Sequence, residues 1–205
     1  MSRRKPRQLR QLKHEKVIFV EGDTEEFYFN MLKQRYHGGN VKVKIQNKTG
    51  QKAVKLVEEA SSWRNNHQNF AGDLYVCFDD DYQDKQLLLA SYHQAQRQHI
   101  RMIYSNVCIE AWLLMHFIPA QGNLDNWRQK AWLYHQLEQQ LKIQNYPAHK
   151  GKDLTIQYED RIVYADRHCQ QLTGNQPLNG DVILQNQVYT NFNQAVKAIF
   201  EIDQF

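Results

Sequence analysis

The 205-residue sequence has no apolar run approaching the roughly 18 to 20 residues that a membrane-spanning helix requires, and residues 2–10 are basic and polar with no apolar stretch behind them. The expectation is a soluble, cytoplasmic protein. Cysteine is scarce: Cys77, Cys108 and Cys169 are odd in number, far apart and form no Cys-x-x-Cys pair, which argues against both a disulfide framework and a cysteine zinc site. They are expected to be buried, reduced thiols. No internal repeat is present, and the Gln and Asn that become frequent after about residue 121 are interleaved with Leu, Trp and Tyr, as on decorated helices. With 41% hydrophobic and 23% charged residues, the chain can bury a real core, which excludes a disordered or collagen-like protein.

Also missing is a basic body. Residues 1–16 hold seven Lys or Arg and one Glu, whereas the remainder holds 19 Lys or Arg against 21 Asp or Glu, a net of −2. The positive charge therefore lies in a basic arm. Arg3, Arg4, Lys5, Arg7, Arg10 and Lys13 suit salt-dependent, sequence-independent contacts with nucleic-acid phosphates, although a solubilising tail has the same composition.

From Lys16 onward, apolar runs of strand length alternate with amphipathic segments of helix length, the pattern of parallel βα units. Val17 to Val20 reads as a buried strand, and Thr24 as the cap of a helix starting at Glu25. Strands follow at 41–45, 73–78 and 100–104, with helices from about Gly50, at 85–98, and at 107–117 behind a Ser105-Asn106 cap. An α/β core is expected over 17–118, with a four-stranded parallel sheet. Residues 119–205 are expected to be mostly helical and packed on that core, with helices near 129–143, 155–172 and 191–202 and a short strand at Val182-Ile183-Leu184.

Two of these strands end in acid. Glu21 ends the first and Asp79-Asp80-Asp81 follows the third. Ligands of open parallel sheets bind beyond the carboxyl ends of the strands, so neighbouring strands would bring these carboxylates together across 58 residues of sequence. Alternation in an extended segment points Asp79 and Asp81 one way and Asp80 the other. Oxygen ligands without His or Cys suit Mg²⁺ or Mn²⁺, which bind phosphates through their open positions. Glu25, one helical turn after Glu21, can reach the same cluster or simply complement the helix dipole. Glu110, in the first turn of an apolar helix, needs a partner and can complete a metal shell or orient a water there. His116 is either a general acid or base or a hydrogen-bonded core residue, and Lys150 either a charge for a phosphate or part of a solvated loop.

The blocks Val20-Glu21-Gly22-Asp23-Thr24-Glu25, Phe78-Asp79-Asp80-Asp81 and Ser105-Asn106-Val107-Cys108-Ile109-Glu110-Ala111-Trp112-Leu113-Leu114-Met115-His116-Phe117 together resemble the RloB-like family of small prokaryotic Toprim proteins. The third block is the most specific. The resemblance implies that Glu21 is the Toprim glutamate, that Asp79 and Asp81 are its aspartate pair, and that Glu110 and His116 are polar residues of the third block. It further implies a Toprim fold and a metal-dependent nuclease acting in anti-phage, abortive-infection defence, beside an ATPase of the SMC-like AAA type. Tyr82 stands where relatives commonly carry an acidic residue. Two other classes remain open: a phosphatase resembling the haloacid dehalogenases, with Asp79 as nucleophile and Asp81 as acid or base, and a non-catalytic nucleic-acid-binding or regulatory subunit.

Overall fold

The computed structural model describes residues 14–37, 39, 41–185 and 187–205. The arm residues Arg3, Arg4, Lys5, Arg7, Arg10 and Lys13 lie outside the described residues. The first strand, β1 (His14–Val20), begins earlier than its apolar run suggests, so the last residues counted with the arm belong to the sheet. Lys16, counted among the seven cations of residues 1–16, is 3% exposed and its Nζ lies 2.7 Å from Asp73 Oδ2 and 3.3 Å from Glu201 Oε1, so its charge is paired within the fold.

After β1 come α1 (Asp23–Arg35), β2 (Val41–Asn47), α2 (Ala53–Asn66), β3 (Asp73–Asp79), α3 (Lys85–Arg97), β4 (Ile100–Asn106) and α4 (Ile109–Leu114). The sheet order is β2-β1-β3-β4, all parallel, with Val20 opposite Cys77 and Asp79 opposite Ser105. Successive side chains of a strand face opposite sides, and the two cores follow that rule. Ile18, Val20, Tyr75, Cys77 and Ile103 face one core with α1 and α4; Val17, Phe19, Leu74, Val76 and Phe78 face the other with α2 and α3. Buried on both sides, β1 and β3 need continuous apolar runs, which is why their sequences read so clearly.

The C-terminal part departs from expectation. Helices α5 (Lys130–Leu141) and α8 (Phe192–Phe200) fall close to the periodic segments, whereas α6 (Ile162–Thr173) begins seven residues later than expected, behind two short 3-10 turns at Thr155–Gln157 and Glu159–Arg161. Val182-Ile183-Leu184, expected as a strand, lies in α7 (Gly180–Leu184), whose N-cap Asn179 accepts a hydrogen bond from the Val182 N–H at 2.9 Å. The cap overrides the β preference of two branched residues. Residues 189–190 instead form β5 (Tyr189–Thr190), antiparallel to β4. The sheet among the described residues thus has five strands, mostly parallel, with eight α-helices, so the expected four parallel strands gain a fifth, antiparallel strand from the C-terminal region. Ser105 Oγ meets Thr190 Oγ1 at 3.0 Å, and Asn191 takes the Tyr104 N–H and donates to the Met102 carbonyl, extending the ladder by a side chain.

Two expected caps are also corrected. Helix α1 starts at Asp23 after Gly22, with no side-chain cap, and Thr24 Oγ1 accepts instead from the Gly151 N–H at 3.3 Å. Helix α4 starts after Cys108, because Ser105 and Asn106 are still strand.

Candidate metal and phosphate cleft

Because β1 and β3 are neighbours, Glu21 and Asp79 emerge side by side at their carboxyl ends. A cleft of about 310 Å³ lies there, lined by Glu21, Glu25, Asp79, Asp81, Lys150 and Gly151 among others. A larger cleft of about 750 Å³ beside β2 has no acidic residue in its lining. Helix α1 contributes Glu25 from its first turn; a Cβ at Gly22 would come within 3.2 Å of Glu25 Oε2, so the small residue leaves room for that carboxylate. The loop carrying Lys150 turns at Gly151 with φ +75°, a conformation glycine adopts without strain.

The carboxylates are crowded and under-solvated. Asp79 is 6% exposed and its Oδ1 has no hydrogen-bond partner; Glu21 Oε2 is equally orphaned. Burial, then Glu25 and Glu110, push the Asp79 carboxyl well above its ordinary value, against a lowering by the Ile109 N–H at the start of α4. Burial pushes Glu25 up to about 7, with Glu110 adding to it, and burial followed by Asp81 raises Glu21. Glu110 is fully buried, with Lys150 Nζ 3.1 Å from its Oε1 and no hydrogen bond at Oε2. Desolvation lowers the Lys150 ammonium, but Glu110 and its neighbours outweigh this and hold it firmly protonated.

Asp80 points elsewhere, to Lys85 and, at 2.9 Å, to the Tyr104 hydroxyl. The reason differs from simple alternation. The chain leaves the extended conformation after Asp79, and Asp81 and Tyr82 are left-handed, at φ 48° and 57°. Asp84, at the end of the same acidic run, caps α3 through the Gln86 and Leu87 N–H groups.

His116 is not part of the cleft. It is 1% exposed, its Nδ1 lies 3.1 Å from the Trp112 carbonyl and its Nε2 3.0 Å from the Tyr28 hydroxyl. Tyr28, Trp112 and Tyr158 pack around the ring, and burial pushes its pKa down to about 3. Of the two readings the sequence offers, these contacts favour the hydrogen-bonded core histidine over the general acid or base. The three cysteines are free and buried, and burial raises the Cys77 and Cys108 thiols, so neither is primed as a nucleophile.

Lys130 escaped the sequence reading. It opens α5, pairs with Asp81, and lies 5.8 Å from the centre of the Tyr82 ring. Its only sequence signal is a misfit, a cation in a helix first turn that holds no acidic residue.

The donor set is hard oxygen, and the orphaned atoms of Glu21 and Asp79 are of the kind a divalent cation would satisfy. Among the described residues, however, no group of three or more His, Cys, Asp or Glu side chains stands close enough to hold a metal ion as placed. Holding one requires side-chain movement, with Lys130 and Lys150 now supplying the positive charge. The residues fit such an ion in chemistry.

Fold and cleft together define an α/β protein with an acidic site at the carboxyl edge of a mostly parallel sheet. The sequence model of the RloB-like protein family matches residues 16–199, and the chain belongs to the RloB-like family. No curated protein and no solved structure matches it. No helix among the described residues is long and apolar enough to cross a membrane.

Proposed function

We propose that the chain is a Mg²⁺- or Mn²⁺-dependent nuclease of the Toprim type that hydrolyses nucleic-acid phosphodiester bonds in anti-phage defence. The observation that carries this reading is the meeting of Glu21, Glu25, Asp79 and Asp81 in one cleft with buried oxygens of Glu21 and Asp79 left unpartnered. These four would hold the ion, which when bound supplies polarisation of a phosphoryl oxygen and a more acidic water. The chain's own contributions are separate. Lys150, kept protonated against Glu110, offers charge where the phosphate gains it, and Glu110 fixes that ammonium. The arm residues from Arg3 to Lys13 supply salt-sensitive affinity that a body of net −2 lacks.

One observation favours a second reading, a non-catalytic nucleic-acid-binding or regulatory subunit: as placed, the carboxylates are not gathered for an ion. A phosphatase with Asp79 as nucleophile is disfavoured by placement, because the Asp-x-Asp of the haloacid dehalogenases it would resemble normally ends the first strand of its domain, whereas Asp79 ends β3. A Mg²⁺ and Mn²⁺ titration with DNA, RNA and a phosphate monoester separates the three. Metal-dependent cleavage of DNA or RNA, lost in Asp79→Asn, supports the nuclease; monoester hydrolysis supports the phosphatase; binding without turnover supports the subunit. We expect weak turnover by the isolated chain and full turnover with an SMC-like AAA ATPase and ATP, and full activity of the chain alone would remove the partner from the proposal.

A further inference from the structure

Tyr82 lies one residue beyond Asp81, and the roles given to the cleft leave it without one. Its side chain is 62% exposed in a chain that buries most of its aromatic rings. Its backbone sits at φ 57° directly after Asp81 at φ 48°, two successive left-handed residues that are not glycine. That conformation is costly for a bulky residue and persists only where surrounding contacts impose it. The far end of the side chain is fixed as well. The hydroxyl donates to the Arg128 carbonyl at 2.8 Å and accepts from the Lys130 N–H at 3.3 Å. Lys130 Nζ, paired with Asp81, lies 5.8 Å from the ring centre.

An aromatic ring serving a core would be buried, and one serving solubility would not be held at both ends. A flat, exposed, immobilised π surface beside a cation, at the lip of a cleft suited to phosphate, has the shape of a nucleotide site. We propose that Tyr82 is a stacking platform for an unpaired nucleobase of the strand whose phosphate enters the cleft. The inference rests on the reading of the cleft as a nucleic-acid site. Tyr82 is a positioning residue: its ring sets where the adjacent phosphate falls, and Lys130 ties that position to Asp81. Every base offers a π face, so the platform is tolerant of sequence and accepts DNA or RNA.

The test is a binding cycle on the full chain, with Ca²⁺ replacing Mg²⁺. Wild type, Tyr82→Ala, Tyr82→Leu and Tyr82→Phe are titrated with short single-stranded DNA and RNA oligonucleotides and with an abasic phosphodiester of the same length and charge. Wild type is expected to prefer the base-bearing strands by about tenfold, as one base–aromatic stack provides. Tyr82→Phe keeps that preference, while Tyr82→Ala and Tyr82→Leu lose most of it, with affinity for the abasic strand held within about twofold. An undiminished base preference in Tyr82→Ala and Tyr82→Leu overturns the proposal and turns the ring into a protein contact. Equal wild-type affinity for base-bearing and abasic strands overturns it too, while leaving the cleft as a phosphate site. Failure of the wild type to bind any strand overturns both.

Discussion

Helix α4 and its last turn connect two buried polar groups with opposite surroundings. Glu110 at its start is fully buried with Oε2 unpartnered, in a neighbourhood where Asp79 and Glu21 each leave an oxygen unsatisfied. His116, just past its end, has both ring nitrogens within hydrogen-bond distance of Trp112 and Tyr28 and three aromatic rings around it. A satisfied buried polar group stabilises one packing arrangement; an unsatisfied one costs stability and persists only where it does something else. The same short helix therefore carries at one end a carboxylate set among unsatisfied carboxylate oxygens, and at the other a histidine whose own nitrogens are both engaged although Trp112 Nε1 and the Tyr158 hydroxyl beside it have no partner.

The strongest way to break this contrast is by substitution in the cleft. Asp79→Asn or Glu21→Gln should lower metal-dependent cleavage by about a hundredfold or more, while melting temperature holds or rises because a crowded, desolvated carboxylate is gone. Unfolding of these variants would show that the carboxylates are structural. Asp80→Asn should behave in reverse, losing about 1 to 3 kcal/mol of stability through Lys85 and Tyr104 while cleavage continues.

His116→Ala tests the other side. Removing the ring opens a cavity and orphans the Tyr28 hydroxyl, for an expected loss of about 2 to 4 kcal/mol in denaturant titration. Cleavage per folded molecule should survive, and a selective loss of turnover would return His116 to the site.

The two regions also titrate in opposite directions. His116 is depressed from 6.5 to about 3, so between these values the unfolded chain binds more protons and stability falls as pH falls. Glu25 is raised from 4.5 to about 7, so over that interval the folded chain binds more protons and stability falls as pH rises. In cation-free buffer between about pH 4.5 and 6.5, His116→Gln should steepen the fall with rising pH and Glu25→Gln should flatten or reverse it. Thermal melts of both variants across that window sharpen the comparison, and identical slopes would undo it.

The smallest effect belongs to neither region. Deleting residues 1–13 should leave melting unchanged and flatten the dependence of nucleic-acid affinity on salt, by up to about 0.7 to 0.9 log units per log salt for each lost phosphate contact. An unaltered slope would reduce the arm to a solubility tail.

What was legible in the sequence follows the same physics. Strands β1 and β3 are buried on both faces and announce themselves as unbroken apolar runs, and the convergence of Glu21 with Asp79 follows from their adjacency. Strand β5 is two residues long and owes its existence to an unpaired β4 edge, a tertiary cause with no local periodicity. Helix α7 was hidden because Val182 and Ile183 favour strand, though Asn179 carried a readable cap signal. In the site, carboxylates at strand ends could be nominated from position alone. Lys130 could not, since its pairing with Asp81 depends on how α5 docks and on the left-handed turn at Asp81. For His116 the sequence left a general acid or base and a core residue both open, because no spacing reveals burial.

The antiparallel β5 also sets a schedule for the molecule's synthesis. Its partner groups on β4 are made about 85 residues earlier, with Ser105 waiting for Thr190 and Tyr104 for Asn191. Until the ribosome has delivered residues 189–191, β4 remains an open edge, able to pair with any passing strand. A message cut short between residues 151 and 189 would therefore yield a product with the cleft residues present but β4 uncovered, a species suited to aggregation or proteolysis. Quality control is thus written into the order of the strands, since only a copy extended through β5 can cover that edge.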